Sequence, residues 1–236
     1  MKLSIIISTY QRTDNSTPFY LKRALDCVFN QTHEDFKVYV IGDKYEDNEE
    51  FINICKSYDK DKLYFENLPF AKERDRYGKG YALWSYGGVN AVNYGIDKSL
   101  DDGNYYICHL DHDDVWEPNH LEVINKCLLN TNADWVCTKS TYLSPEKTMP
   151  KIIGIENHYI NFLPSYATLI HSSVCMNFNT IPFKYRDLFD ETGVVGLPSD
   201  GELWNRCREH ILKNNLKSYL INSITCHHDE EGFERN

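Results

Sequence analysis

The sequence of 236 residues predicts an α/β fold, with a mostly parallel central sheet flanked by helices in a single domain. Three observations support this prediction. Strand and helix patterns alternate over the first half of the chain. The first run, residues 3–8, is rich in Ile and almost entirely apolar, which is typical of a strand buried on both faces. Polar clusters follow the apolar runs, as they do where parallel strands end at a ligand-binding edge.

The predicted elements of the first half follow in order. Strands are expected at residues 3–8, 36–41, 63–65 and 104–110. Apolar side chains with helical spacing lie between them, at Leu21, Leu25, Val28 and Phe29, at Phe51, Ile54, Cys55 and Tyr58, and at Val89, Val92, Ile96 and Leu100. Pro18 suits the first turn of the first helix. This alternation predicts parallel strands joined by crossover helices.

The second half of the chain is less regular. A helix is predicted after Pro118. An apolar stretch follows at residues 135–138, and residues 140–198 show only weak periodicity. Ser199 and Glu202 have the Ser-x-x-Glu spacing of a capping box, which predicts a helix N-terminus. Since no repeat or linker divides the sequence, we predict one domain over residues 1–236.

Composition and charge exclude several classes of function. The net charge of −10 disfavours a nucleic-acid partner and a broad basic face for membrane docking. The eight cysteines include no Cys-x-x-Cys pair, which predicts buried free thiols in a reducing compartment. The chain enters a strand without a signal-peptide pattern, and no apolar run reaches transmembrane length. These features predict a cytoplasmic protein, and they leave open transient docking to membrane-bound acceptors and the oligomeric state.

A cluster of carboxylates follows the predicted strand at residues 104–110. The sequence there is Asp111-His112-Asp113-Asp114. Acids that repel one another at the end of a buried strand do not stabilise the fold, so the cluster requires a cation. Hard cations such as Mg²⁺ or Mn²⁺ prefer oxygen ligands. The cluster therefore predicts a metal-assisted reaction on a phosphorylated substrate.

Polar residues follow two other predicted strands as well. Thr9, Tyr10, Gln11 and Arg12 come after the first strand, and Asp43 comes after the second. The carboxyl ends of parallel strands share one edge of a sheet, where ligands bind. Three separate segments are therefore expected to meet in one crevice.

Five segments in order carry a resemblance to a known family. They cover residues 4–12, 21–32, 36–43, 90–96 and 110–114. The set resembles glycosyltransferase family 2, whose members are inverting, nucleotide-sugar-dependent enzymes with the GT-A fold. The resemblance is dense over residues 1–125 and thin afterwards. It implies a nucleotide-sugar-binding half at residues 1–116 and an acceptor-binding half at residues 117–236.

The resemblance also implies an activity and its participants. A sugar would pass from a nucleotide diphosphate sugar, with UDP favoured, to a hydroxyl of a saccharide, lipid-linked or other acceptor, and Mn²⁺ or Mg²⁺ would stabilise the diphosphate. The residues implied in nucleotide-sugar binding are Thr9, Tyr10, Arg12, Asp43, Gly88, Asn90 and Asp111. Among these, Asp43 would meet the edge of a uracil-type base.

The metal and the catalytic base have their own implied residues. Asp111 and Asp113 resemble the D-x-D motif of the family, with Asp113 as a ligand of the metal and Asp111 facing the metal or the ribose. His228 would complete the metal shell, with His227 as the alternative. Asp200 resembles the late acidic residue of the family, which is the general base.

The chain departs from the family pattern at two positions. Gly42-Asp43 stands where members often carry two acids, and Val92 stands where an Arg is usual. The missing cation has candidate replacements in the preceding loop, namely Lys72, Arg74, Arg76 and Lys79.

Each assignment has a structural alternative. Asp200 would stabilise a helix N-terminus by its charge alone, and Glu202 is the nearest rival for the base. Asp114 would cap the following helix, and the His pair would form a polar tail. Asp59-Lys60-Asp61 is also formally D-x-D, but its flanking Lys residues indicate a solvated turn. For the whole chain, the alternatives are a haloacid-dehalogenase-type phosphatase with Asp111 as nucleophile and a non-catalytic nucleotide-sugar-binding module.

Overall fold

The computed structural model describes residues 1–152 and 156–228, and the rest of the predicted domain lies outside this range. Within it, ten strands form one sheet. The strands are β1 (Leu3–Thr9), β2 (Phe36–Gly42), β3 (Leu63–Asn67), β4 (Tyr106–His109), β5 (Val115–Trp116), β6 (Trp135–Tyr142), β7 (Thr148–Met149), β8 (Tyr159–Asn161), β9 (Val174–Asn177) and β10 (Ser218–His228). The helices are α1 (Thr17–Phe29), α2 (Asn48–Lys56), α3 (Lys72–Tyr77), α4 (Tyr81–Tyr86), α5 (Val89–Asp101), α6 (His120–Thr131), α7 (Leu188–Thr192) and α8 (Ser199–Asn214), with a short 3₁₀ helix at His171–Ser173.

Helices cover both faces of the sheet. Successive residues of β1 point to opposite sides, so Ile5 and Ile7 join a core that includes α1, α2 and α6. Ile6 joins a second core that includes α5 and α8. This arrangement explains the apolar composition of β1, which needs a nonpolar side chain on each face. The predicted strand buried on both faces is confirmed.

The sheet is parallel in its first half and mixed in its second. Strands β3, β2, β1 and β4 lie side by side and parallel, with Ile5 of β1 opposite Val38 of β2 and Cys108 of β4. Next to β4 lies β9, which runs antiparallel to both β4 and β6. Strand β10 is parallel to β6, and β5 pairs antiparallel with β10. The prediction of a mostly parallel sheet therefore holds for the first half, and the antiparallel strands come from the segment with weak periodicity.

Helix α5 lies close to the sheet. A Cβ atom on Gly95 would stand 2.8 Å from Cγ2 of Ile6 in β1, so only the smallest residue allows this approach. The close packing places the N-terminus of α5 beside the carboxyl end of β1. Gly88, the N-cap of α5, has φ +80° and ψ 0°, a left-handed conformation that favours glycine. This turn brings the backbone at Gly88 within reach of Ser8.

Three short helices within the described residues were not predicted from the sequence. α3 and α4 occupy the long connection between β3 and α5, which was predicted as a loop, and α7 lies in the segment of weak periodicity. Among the described residues, no helix is both long enough and apolar enough to cross a bilayer. All eight cysteines lie within the described residues, and all of them are free thiols.

Candidate active site at the carboxyl ends of the strands

A cavity of about 550 Å³ opens at the carboxyl ends of the central strands. Four residues that the sequence singled out line it, and they come from distant parts of the chain: Gly88, Asp111, Asp200 and His228. Further lining residues include Trp84, Tyr142, Tyr166, His171, Tyr185 and Trp204. These four residues lie at the ends of α5, β4, α8 and β10. The ends of these elements thus meet at one cavity, as expected at the ligand-binding edge of an α/β sheet.

Asp111 follows β4 and faces the cavity. Its backbone N–H donates to Oγ of Ser172 at 2.9 Å, and its Oδ1 accepts from Nδ1 of His171 at 3.1 Å. The other ring nitrogen of His171 is hydrogen-bonded with the hydroxyl of Tyr185 at 2.5 Å. Burial alone would raise the pKa of Asp111, but the neighbouring imidazole outweighs it and lowers that pKa below its usual range. Asp111 is therefore an ionised carboxylate at neutral pH.

Asp113 is paired with Arg12 and is not among the residues that line the cavity. Its Oδ2 accepts from Nη2 of Arg12 at 2.7 Å, and Arg12 is only 4% exposed. Arg23 donates to the backbone carbonyl of Asp113. The two acids of the D-x-D motif therefore have different partners, an imidazole for Asp111 and a guanidinium for Asp113.

Asp114 is buried and holds His228 in place. Oδ1 of Asp114 accepts from Nδ1 of His228 at 2.8 Å. Burial raises the pKa of Asp114 to about 6, and for His228 the hydrogen bond to Asp114 outweighs burial and raises the pKa to about 9. His227 points elsewhere, with Nε2 at 2.7 Å from Glu117 and Nδ1 at 3.0 Å from Thr141. Of the two histidines, His228 is the one at the cavity.

The donor chemistry of these residues suits a hard cation that is shared with a substrate. Within residues 1–152 and 156–228, no three His, Cys, Asp or Glu side chains are placed to hold a metal ion unaided. Mg²⁺ commonly uses one or two carboxylates together with substrate phosphates. Asp111 and Asp113 could supply such carboxylates. Metal-binding imidazoles usually donate their second N–H to a carboxylate, and the contact between His228 and Asp114 has this form.

A second group of polar residues lies at the ends of β1 and β2. The backbone carbonyl of Thr9 accepts from the N–H of Asp43 at 2.7 Å, and Oδ2 of Asp43 accepts from Nε of Arg74 at 3.0 Å. The guanidinium of Arg74 lies 5.0 Å from the ring centroid of Tyr10. Oδ1 of Asp43 is buried and has no hydrogen-bond partner among the described residues, and burial raises the pKa of Asp43. Asp43 thus keeps one acceptor oxygen for a ligand.

Of the candidate cations in and after α3, Arg74 is the one that contacts Asp43 and Tyr10. Two of the other candidates, Lys72 and Arg76, pair with Asp190 instead. The sequence predicted that this segment supplies a cation to the donor region. The position of Arg74 against Asp43 agrees with that prediction.

Asn90 contacts Glu73, a residue that the sequence did not single out. The N–H of Asn90 donates to Oε1 of Glu73 at 3.2 Å, and Glu73 is 1% exposed. This bond ties α3 to the N-terminus of α5. The sequence analysis named only the cations of this segment, and the packing of α3 against α5 shows that one of its acids is buried.

Glu73→Gln is expected to raise the thermal unfolding midpoint more at about pH 8 than at about pH 5. Burial raises the pKa of Glu73 to about 7, above the ordinary 4.5. As the pH rises through this window the unfolded chain loses the proton first, so the folded state loses stability. Gln cannot ionise and still accepts from Asn90. Midpoints of both proteins at the two pH values test this, with the exposed Glu49→Gln as control. An equal change at both pH values would contradict it.

Asp200 lies in the first turn of α8 and lines the cavity. Its Oδ1 accepts from the N–H of Gly201 at 2.7 Å, and burial raises the pKa of its carboxyl above the usual range. The ring of Tyr166 packs directly on Gly201, where a Cβ atom would stand 2.3 Å from Cδ2 of that ring. A carboxylate with a raised pKa at a cavity wall is suited to accept a proton.

The predicted capping box at the start of α8 is wrong. Pro198 is the N-cap, Ser199 is the first helical residue, and no side chain caps the helix. The carboxylate of Glu202 accepts from Nε of Arg206 at 2.7 Å, one turn further along the helix, so it does not reach back to the N-terminus. Glu202 is therefore occupied by an ion pair, whereas Asp200 faces the cavity.

Sequence reasoning missed Tyr166 and Tyr185, and for His171 it left open two roles, a side chain that lines the donor or acceptor pocket and a satisfied half-buried histidine. All three lie in the segment of weak periodicity, residues 140–198, where no local pattern distinguishes a cavity-lining aromatic residue from a surface one. The structure places His171 in the lining of the cavity, directly before β9.

Solved structures of other proteins share this fold. Staphylococcus aureus TarS residues 1–349, solved in complex with UDP-GlcNAc, superposes with a TM-score of 0.70 at 13% identity, over 99% of this chain and 60% of TarS 1–349. The mannosyltransferase PcManGT of Pyrobaculum calidifontis, solved with GDP-Man and Mn²⁺, gives a TM-score of 0.60 at 11% identity, over 98% of this chain and 58% of the other. The GT-A fold that the resemblance implies is confirmed.

The sequence comparisons assign the family. The family model Glycosyl transferase family 2 matches residues 4–184. An uncharacterised glycosyltransferase of Acanthamoeba polyphaga mimivirus is 37% identical over 100% of this chain and 97% of its own length. One from Rickettsia felis is 28% identical over 99% of this chain, which spans 35% of that relative. The chain belongs to glycosyl transferase family 2, and this membership removes the support for the phosphatase alternative.

Proposed function

We propose that this glycosyltransferase moves a sugar from a nucleotide diphosphate sugar, with UDP favoured, to an acceptor hydroxyl, with inversion at the anomeric carbon. The observation that carries the proposal is the convergence of Asp111 and Asp200 on one cavity, although 89 positions (200 − 111) separate them in the chain. TarS, which shares the fold, was solved with UDP-GlcNAc, and this supports a nucleotide-sugar donor.

The donor occupies the ends of the parallel strands, within residues 1–116. Asp43 accepts from the edge of the base with the oxygen that lacks a partner among the described residues, and Arg74 holds the other oxygen. Tyr10 lies under the guanidinium of Arg74 and beside the base. A single acid suits the N–H of uracil, which is the basis for favouring UDP. Thr9 positions Asp43 through its backbone carbonyl.

The diphosphate lies between β1, β4 and α5. Arg12 pairs with Asp113, and both are placed to meet the phosphates or a cation bound to them. Gly88 and Asn90 lie at the N-terminus of α5. There, the backbone N–H groups and the positive end of the helix dipole favour the negatively charged sugar-phosphate. When bound, Mn²⁺ or Mg²⁺ would stabilise the negative charge of the leaving diphosphate. Asp113, Asp111 and His228 are the residues that would hold the cation, as proposed from the resemblance.

The acceptor enters from the side built by residues 117–236. Asp200 removes the proton of the acceptor hydroxyl, since its carboxyl lines the cavity and burial raises its pKa toward the working range of a general base. The hydroxyl then attacks the anomeric carbon from the face opposite the diphosphate. Attack from that face inverts the configuration, as in inverting glycoside chemistry.

The test is a transfer assay paired with a binding assay. Calorimetry with UDP, in the presence and absence of Mn²⁺, reports the nucleotide site. Mass spectrometry with a panel of UDP-sugars reports loss of the donor by transfer, or by slow hydrolysis when no acceptor is present. Binding of UDP together with turnover of a UDP-sugar supports the proposal. Binding without turnover of any donor would favour the non-catalytic nucleotide-sugar-binding module.

A further inference from the structure

Two exposed aromatic rings stand at the mouth of the cavity. Tyr81 is 56% exposed and Trp84 is 53% exposed, and their ring centroids lie 5.4 Å apart with an interplanar angle of 27°. Both lie on one face of α4, since residues three apart on a helix are neighbours. Trp84 lines the same cavity as Asp111 and Asp200. Because both rings are exposed to solvent, core packing does not explain them, and exposed apolar surface beside a cavity often marks a binding site.

The helix that carries these rings is firmly anchored. Ser85 and Tyr86 are buried, and the hydroxyl of Tyr86 accepts from the N–H of Gly196 at 2.9 Å. The opposite face of α4 is thus held in the core while Tyr81 and Trp84 face outward. A rigid base under two stacked rings makes a preorganised binding surface, because little conformational freedom is lost when a ligand covers it.

A third ring approaches the cavity from the acceptor side. Tyr166 is 42% exposed, lines the cavity, and packs against Gly201, the residue next to Asp200. Its backbone N–H donates to Oδ1 of Asn205 at 3.4 Å. Trp84 and Tyr166 therefore flank the space in front of the carboxylate that we propose as the base.

We infer that Trp84 and Tyr166 form a saccharide-binding platform for the acceptor. The C–H groups on one face of a pyranose ring are weakly positive and match the negative π-face of an aromatic ring. The sugar that receives the transfer stacks on the face of Trp84 that Tyr81 leaves free, with Tyr166 at its flank, and Tyr81 supports Trp84 from behind. The acceptor is thus a saccharide. The inference rests on the proposed transfer reaction and adds the acceptor class to it.

Two features favour a saccharide over a lipid surface. Trp84 stands at the entrance of a cavity whose walls carry the carboxylates of Asp111 and Asp200, a setting for hydroxyl groups and not for acyl chains. The net charge of −10 also repels an anionic bilayer. The face of Trp84 that Tyr81 leaves free offers the flat area that a sugar ring covers.

Tryptophan fluorescence tests this inference directly. The chain has four Trp residues, and the other three, Trp116, Trp135 and Trp204, are at most 2% exposed. Quenching by acrylamide therefore reports Trp84. We expect tetrasaccharides of β-linked glucose, β-linked N-acetylglucosamine or α-linked mannose, added with UDP and Mn²⁺, to protect Trp84 from acrylamide. Vesicles of phosphatidylcholine and phosphatidylglycerol test the alternative of a lipid surface. Protection of Trp84 by these vesicles and by none of the saccharides would overturn the inference.

Point variants test saccharide binding at the platform independently of UDP binding at the donor site. Trp84→Ala should weaken binding of the protecting saccharide by about tenfold, or about 1.4 kcal/mol. Trp84→Tyr should restore most of that affinity, and Tyr81→Ala, which removes only the ring behind Trp84, should weaken binding less than Trp84→Ala does. Tyr105→Ala, at the far end of β4 and 40% exposed, is the control. Calorimetry of UDP should give the same Kd for all these proteins.

The outcomes distinguish the two proposals. If UDP binds and a UDP-sugar turns over, but no saccharide of the panel protects Trp84 and Trp84→Ala leaves saccharide affinity unchanged, the platform is refuted and the donor reaction stands. If UDP does not bind at all, the proposed function fails, whatever the fluorescence shows.

Discussion

Replacement of Asp200 by Asn is expected to lower kcat by ~10²–10⁴-fold while UDP-sugar binding is retained, because the amide keeps the shape of the side chain but cannot accept the acceptor proton. Steady-state kinetics and calorimetry on the same preparation test this. The contact of Asp200 with Gly201 is to a backbone N–H, and an amide oxygen can accept it as well. Folding should therefore be preserved.

The pH dependence of turnover provides a second measurement of the same residue. Burial raises the pKa of Asp200 above the ordinary 3.8, and only the ionised carboxylate can act as base. The kcat of the natural protein should therefore fall as the pH drops through this raised pKa, and that acidic limb should be absent from Asp200→Asn. Glu202→Gln is the matched control, since Glu202 is paired with Arg206. Near-native turnover of the Asp200 variant would remove Asp200 from the mechanism.

The second large effect is expected at Asp113. Asp113→Ala should abolish the part of UDP binding that depends on Mn²⁺, with an affinity loss of about 100-fold, or ~2.7 kcal/mol. The physical reason is that Asp113 is proposed as one of the residues that would hold the cation, and the cation would stabilise the negative charge of the diphosphate. Calorimetric titration with UDP, with and without Mn²⁺, measures this change.

Two further variants make the result on Asp113 interpretable. Arg12 is buried against Asp113, so Ala at that position leaves a guanidinium without its counter-ion. Asp113→Asn keeps a hydrogen-bond acceptor for Arg12 and removes only the charge. Asp61→Ala, in the formal D-x-D of the exposed turn, should leave UDP binding unchanged. Metal-dependent binding that survives in both Asp113 variants would contradict the assignment of Asp113 as ligand.

The parallel half of the fold was predictable because its signals are local. Ile5, Ile6 and Ile7 need apolar surroundings on both sides, and that requirement identifies a central strand without knowledge of its neighbours. Asp43 and Asp111 follow parallel strands and lie at the same edge of the sheet, although of the two only Asp111 lines the cavity. The same rule predicted a crevice from three segments, and the structure places Asp111 in a cavity there.

The acceptor side was not predictable in the same way. Tyr166 and Tyr185 lie in irregular backbone, where neither helical nor strand periodicity marks the side that faces a ligand. Glu73 sits in a charge run, which ordinarily indicates a solvated surface, and it becomes buried because α3 packs against the start of α5. The failed capping box at Ser199 has a similar origin, because the contact of Glu202 with Arg206 replaced the local hydrogen bond.

The sequence by itself determined the fold class and the family resemblance, and it supplied the residues that we propose for nucleotide-sugar binding, because strand periodicity and strand-end acids are encoded within a few residues of one another. The tertiary structure alone decided which partner each acid has. His171 contacts Asp111, Arg12 contacts Asp113 and His228 contacts Asp114 across separations of 60, 101 and 114 positions. Contacts over such distances depend on how the whole sheet is ordered, and no local pattern specifies them.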